Sequence, residues 1–282
     1  MLIIFLKKIY GILIAVFLLV FLVSGGMLLK YYLESTEAKK TYDNLADMVE
    51  QVRKEQPTVP LETDGEGHIL LPEVTEPELV EVTHPETGET VMVLPEYAQV
   101  FLLNTDMVGW IYLDGTRINY PVMQRKDSKD YYLQRDFYGK SSKDGSIYVR
   151  EECDVLAPSD NLTLYGHRMN SGAMFADLLN YKEKAFWENN RYIHFDTLQQ
   201  RQIYEVIAAF KIAATADNGF QYHTYVDFAD EAEFYKYVEQ CKDRAFYDTG
   251  VTAHYGEKLL TLSTCEKGNS NMRIVVVAKK IS

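Results

Sequence analysis

The chain has 282 residues, 47% of them hydrophobic, and a formal net charge of −12. That length allows one domain with a real core plus attachments, and without a basic patch nucleic acid has no footing as a partner. Three cysteines (Cys153, Cys241 and Cys265) are too few and too scattered for a disulfide framework or a zinc site.

Residues 1–8 end in Lys7 and Lys8, and residues 9–29, IYGILIAVFLLVFLVSGGMLL, carry no charge. As a helix this run spans about 30 Å, the thickness of a hydrocarbon core. It exceeds the apolar core of a cleaved leader and lacks an A-x-A site. A retained anchor is therefore expected, with 1–8 in the cytoplasm and the rest outside the cell.

Residues 30–56 follow as a juxtamembrane helix. Leu45, Met48, Val49 and Val52 form its apolar stripe, with charges on the other faces. Residues 57–97 read as an acidic, proline-rich stalk: six of the eight prolines fall between Pro57 and Pro95. The stretch 55–99 holds eleven acids and no Lys or Arg, so it supplies nearly all the net charge. Within it, ELVEVT and ETVMVL alternate on either side of HPETG, a hairpin pattern with a Gly-containing turn.

From residue 98 to 282 the texture becomes that of a catalytic domain built from short strands. VGWIYL, RINYPVM, GSIYV, NLTLYGH, RYIHFD and RQIYEVIAAFKIA read as strands rich in Tyr, Ile and Val, and KLLTLSTC and MRIVVVAKKI close the set. Helices are expected near 172–189 and at 229–246. In the latter, Phe234, Tyr237, Val238 and Cys241 share one face, so Cys241 is read as a small buried apolar group. A Cys153–Cys241 disulfide is the less favoured alternative. Without a βαβ rhythm, the fold class is α+β around a mixed or antiparallel β-barrel decorated by helices.

Cys265 ends a strand, and a reactive thiol in an exported chain needs a purpose. An ordinary thiol, with a pKa of about 8.5, is only a few per cent thiolate at neutral pH, and a neighbouring cation raises that fraction. Arg273 opens the next strand and returns towards Cys265 if the two strands pair. His167 ends NLTLYGH and precedes the polar loop RMNSG. Strand ends with loops attached are where a rigid scaffold displays reactive groups. Spacing alone does not bring the three together, and each has an ordinary packing or surface role as its alternative. His68, His84, His194, His223 and His254 are read as surface or hydrogen-bonded residues, and no acid or amide stands out to orient His167.

TLSTC, with YGH upstream, an arginine opening the next strand and an N-terminal anchor, resembles the TLxTC signature of the sortases. NLTLYGHRMNSGAMFADLLNY and the helix before the cysteine strand resemble class B. The resemblance covers about residues 98–282 and leaves the stalk outside. It implies a closed eight-stranded sortase barrel and a cysteine transpeptidase (a thiol hydrolase by reaction type) that anchors surface proteins in Gram-positive bacteria. It also implies catalytic roles for Cys265, His167 and Arg273, with Thr264 and Ser263 near substrate at the strand end. The implied donor is a surface protein bearing a C-terminal sorting signal, Asn-Pro-x-Thr-like, cleaved after Thr through a thioester. The acceptor is a peptidoglycan or lipid-linked precursor amine, with a pilin lysine as the alternative.

Two further alternatives are a cysteine protease, in which water resolves the thioester, and a membrane-tethered adhesin whose motif is inert. No cofactor and no metal are expected, since neither a Gly-rich phosphate loop nor a carboxylate cluster is apparent. HPETG itself resembles a sorting pentapeptide. A plain hairpin turn is the favoured reading, and a tethered pseudo-substrate is the alternative.

Overall fold

The structure, a computed structural model, describes residues 2–55, 62–63, 69–70, 77–214, 219–266 and 269–282. The stalk residues 56–61, 64–68 and 71–76, and with them His68, lie outside this set. The chain divides into two compact units, residues 1–41 and 42–282. Helix α1 runs over Leu2–Glu55. Its first part, in the smaller unit, is long and apolar enough to cross a membrane.

In the larger unit, the strands β1 (Glu62–Thr63) and β2 (Ile69–Leu70) pair with each other. The hairpin of β3 (Val80–Thr83) and β4 (Thr90–Val93) is closed by HPETG, whose Gly88 has a φ of +73°. Positive φ is why a glycine suits that position. The remaining strands are β5 (Met107–Tyr112), β6 (Asn119–Met123), β7 (Ile147–Val149), β8 (Asn161–Tyr165), β9 (Tyr192–Thr197), β10 (Ile203–Ala213), β11 (Leu259–Glu266) and β12 (Asn269–Lys280). They close into a barrel in the order β10-β12-β11-β8-β7-β6-β5-β9. Every neighbour pair is antiparallel except β8–β11 and β6–β7, which are parallel.

The strand chemistry follows from what each face covers. β10 is buried along nearly its whole length because its inner face fills the barrel and its outer face lies under helix α4 (Glu231–Asp243). Phe234, Tyr237, Val238 and Cys241 of α4 pack there in the same cluster as Phe210, Ile212, Val275 and Val277. The Asp230 side chain caps α4 by accepting from the Glu233 backbone N–H at 2.8 Å.

The expected helix near 172–189 is instead two pieces. A 3₁₀ segment covers Phe175–Lys182 and a short helix, α3, covers Lys184–Asn189. Met174 enters with a φ of +57°, and Glu183 is extended, which interrupts helical hydrogen bonding between the pieces.

Compact packing begins at Tyr42, well before residue 98. Tyr42, Leu45 and Val49 of α1 are buried in the main core, as are Val93, Leu94 and Tyr97 around the start of helix α2 (Pro95–Leu103). Each such buried aliphatic side chain is worth about 1.5–3 kcal/mol. Arg53 ends this packing in a buried charged cluster: it donates to Asp196 at 2.9 Å and to the Tyr97 hydroxyl. Arg201 holds the fully buried Glu96 through two hydrogen bonds of 2.9 and 3.0 Å. Glu96, which counts towards the stalk's acidity, is therefore an internal counter-ion.

Candidate active site

Cys265 and Arg273 are register partners across the β11–β12 pair. Directly opposed residues of an antiparallel pair project to the same face, so the two side chains leave the sheet side by side, and the Arg273 guanidinium donates to the Met272 carbonyl at 3.4 Å. His167 arrives from the other side. β8 runs parallel to β11 with Tyr165 opposite Ser263, and the Gly166 N–H donates to the Ser263 carbonyl at 3.2 Å. His167 follows directly, level with Cys265. The three side chains line one cleft of about 440 Å³.

Gly166 is glycine for a packing reason. A Cβ there would meet Ile147 at 2.4 Å and the Phe175 ring at 2.7 Å. The histidine ring is held by groups that carry no side-chain signature. Its Nε2 lies 2.7 Å from the Leu133 carbonyl oxygen. A carbonyl only accepts, so Nε2 carries a proton and Nδ1 is the nitrogen left to exchange one. Leu133 sits in the 3₁₀ segment Tyr131–Gln134. Gly145, with a φ of +60°, approaches so closely that a Cβ would stand 2.5 Å from the Leu133 oxygen and 3.1 Å from His167 Cδ2. The orienting group absent from the sequence reading is thus a main-chain carbonyl. Asp144, next to that glycine, is buried. Burial raises its carboxyl pKa above the usual range, against the opposing pull of His167.

Ser263 and Thr264 also border the cleft, though both are buried. The Ser263 hydroxyl is engaged by the Tyr222 hydroxyl at 2.7 Å, whereas the Thr264 hydroxyl has no hydrogen-bond partner among the described residues. Further along, the cleft is bordered by Lys129, Tyr148, Arg150, Tyr165 and His223. His223 is half-buried at the cleft's edge, where burial, followed by the Arg150 charge, lowers its pKa. Of the two roles expected for His194, surface or hydrogen-bonded, the surface one does not hold. This residue is 7% exposed and stacks on Tyr112 at 4.2 Å.

Cys153 and Cys241 are separate buried thiols, so the disulfide alternative does not hold. HPETG closes the β3–β4 hairpin, in line with the favoured plain-turn reading. Pro85 and Glu86 border a different cleft, of about 230 Å³, with Asn104, Arg125 and Tyr138. Among the described residues, no cluster of three or more His, Cys, Asp or Glu is arranged to hold a metal ion.

A family model described as the sortase domain matches residues 111–281. Sortase B of Staphylococcus aureus is 34% identical over 191 residues, covering 67% of this chain and 76% of that protein. Sortase B of Listeria monocytogenes is 32% identical over 184 residues, covering 64% and 72%. Among solved structures, a Staphylococcus aureus sortase B–substrate complex superposes with a TM-score of 0.69 at 26% identity, covering 89% of this chain and 99% of that one. A sortase B from B. anthracis gives 0.67 at 26% identity, covering the same shares, 89% and 99%.

Proposed function

The chain belongs to the sortase family, in its class B branch, and on that premise we propose that it is a membrane-anchored transpeptidase using Cys265 as nucleophile. The α1 span is the anchor, with the N-terminus in the cytoplasm and the barrel outside. The donor is a surface protein with a C-terminal, Asn-Pro-x-Thr-like sorting signal, and the acceptor is an amine of the cell wall. The observation that carries this is the double register: β12 sets Arg273 opposite Cys265, and β8 brings His167 level with it in one cleft.

The thiolate of Cys265 attacks the threonine carbonyl carbon, and the electron pair moves to the oxygen. Arg273, with a planar fork of donors and a permanent charge, stabilises that oxyanion. The C–N bond then breaks. His167 delivers a proton from Nδ1 to the departing amine, leaving a thioester. An incoming amine attacks the same carbon, gives its proton to His167, and expels the thiolate as the new amide forms. The thioester keeps the cleaved bond's energy available for amide formation without a nucleotide.

The test is mass spectrometry of the full chain after mixing with a pool of sorting-type peptides, with and without a wall-type amine or a pilin. The expected result is an acyl adduct on Cys265 that amine discharges and that Cys265→Ala abolishes. Adduct formation elsewhere, or turnover that survives Cys265→Ala, overturns the reading. Discharge at equal rates with and without amine points to a hydrolase, and discharge by the pilin alone to pilus assembly.

A further inference from the structure

We propose that Tyr42, in the juxtamembrane part of α1, is a positioning residue for His167, bracing from behind the main-chain seat on which the imidazole rests. The inference rests on the reading of His167 as the acid–base residue.

Tyr42 is 4% exposed, and its hydroxyl lies 2.9 Å from the Gly145 carbonyl and 2.9 Å from Ser146 Oγ. Ser146 spends its single proton on the Arg135 carbonyl at 2.9 Å. The phenol must therefore donate, its hydrogen shared between the Gly145 oxygen and Ser146 Oγ. Ser146 is tied in turn to the 3₁₀ turn by its N–H, which donates to Tyr132 O at 3.1 Å. The next carbonyl in that turn, Leu133, is the one that accepts the His167 Nε2 proton at 2.7 Å. Gly145 closes the loop from the other side, since its Cα leaves no room for a side chain between Leu133 O and the imidazole. One hydroxyl from α1 thus holds the segment that sets both the hydrogen-bond partner and the packing surface of the ring.

A second line of contact reaches the backbone of the same histidine. The Tyr42 ring meets Tyr120 edge-on at 5.4 Å between centroids. The Tyr120 hydroxyl accepts from the Met174 N–H at 3.1 Å, and the next residue, Phe175, donates its N–H to the His167 carbonyl at 2.9 Å. Tyr42 therefore touches the supports of both the ring and the main chain of His167, while standing outside the cleft. A buried tyrosine whose only task was filling space would be equally served by phenylalanine.

The experiment is Tyr42→Phe in the full chain in detergent micelles. Two quantities are read: the kinetics of amine transfer, and the exchange of the His167 imidazole N–H by ¹⁵N NMR. The expected result is a kcat lower by about tenfold with KM nearly unchanged, together with faster solvent exchange of the Nε2 proton. Loss of stability alone would move the melting temperature but neither of these. Unchanged kcat and unchanged exchange overturn the proposal. Should Tyr42→Phe fail to fold, Ser146→Ala carries the same two readings, because it removes one of the two acceptors that hold the phenol. His167→Ala separates the two levels. If it remains active, the acid–base reading itself fails; if it is dead beside a fully active Tyr42→Phe, only the bracing role fails.

Discussion

Gly145→Ala probes the histidine seat most directly, and Gly115→Ala is its internal control. Both glycines have positive φ, +60° and +70°, so either alanine incurs left-handed strain of about 1–2 kcal/mol. Only the first meets a neighbour. At Gly115 nothing lies within 4 Å of the new Cβ, whereas at Gly145 the Leu133 oxygen is 2.5 Å away and His167 Cδ2 is 3.1 Å away. Moving the Leu133 contact out to the 3.4 Å of ordinary packing displaces the carbonyl that orients the ring by about 0.9 Å. Misplacing a reacting group by about 1 Å costs on the order of 100-fold in rate. Gly115→Ala should therefore lower the melting temperature by about 2–8 °C and leave amine transfer intact. Gly145→Ala should lower the melting temperature by at least as much and cut kcat/KM about 100-fold. Scanning calorimetry and a peptide-plus-amine transfer assay measure both. Equal activity in the two variants would refute the claim that Gly145 and the Leu133 carbonyl seat the histidine.

His194 makes stability depend on pH. Burial, assisted by the Arg53 charge and opposed by Asp114, lowers its pKa from 6.5 to about 4. The folded state then binds the proton less tightly than the unfolded state, so this contribution is complete above pH 6.5 and is lost as pH falls towards 4. The loss amounts to about 3 kcal/mol at most. Urea unfolding at pH 7 and at 4.5 should show His194→Gln with a smaller acid loss than the wild type; matching slopes contradict the assignment. Under native conditions a thiol reagent should label one equivalent, at Cys265. Cys153 and Cys241 are 1% and 0% exposed, and burial pushes the Cys153 thiol up to about 11. Rapid labelling of two or three thiols contradicts that burial. Finally, Pro85→Ala and Thr87→Ala should leave transfer within about twofold of wild type, because HPETG closes a hairpin away from the Cys265 cleft. Faster turnover of free peptide would return HPETG to the role of a tethered inhibitor.

The barrel was legible in the chain because its strands announce themselves locally. Tyr, Ile and Val mark most of its staves and the leucines of LLTLSTC mark β11, while the apolar stripe of α1 at Leu45, Met48 and Val49 marks the face that packs. Pairing partners were not legible. Periodicity says that Asn161–Tyr165 is a strand, but not that it lies parallel to Leu259–Glu266, so the convergence of His167 with Cys265 needed the resemblance to known proteins. The polar members of the α1 face, Tyr42 and Arg53, were overlooked because a hydrophobic pattern ignores phenols and guanidinium groups. The Leu133 carbonyl was invisible for a deeper reason, since every residue has one. Gly145 left a faint signal, as the DGS turn ahead of a strand, without saying which ring it would adjoin.

The parallel seam between β8 and β11 also governs when the molecule can begin to work. Tyr165 and Ser263 pair across 98 residues of sequence, and joining them closes a loop whose ordering entropy is repaid only as the cylinder completes. A half-folded molecule that holds only the β11–β12 hairpin already sets Arg273 opposite the sulfur, but it lacks the imidazole until β8 joins. Topology thereby acts as a timer, withholding reactivity until maturation is finished.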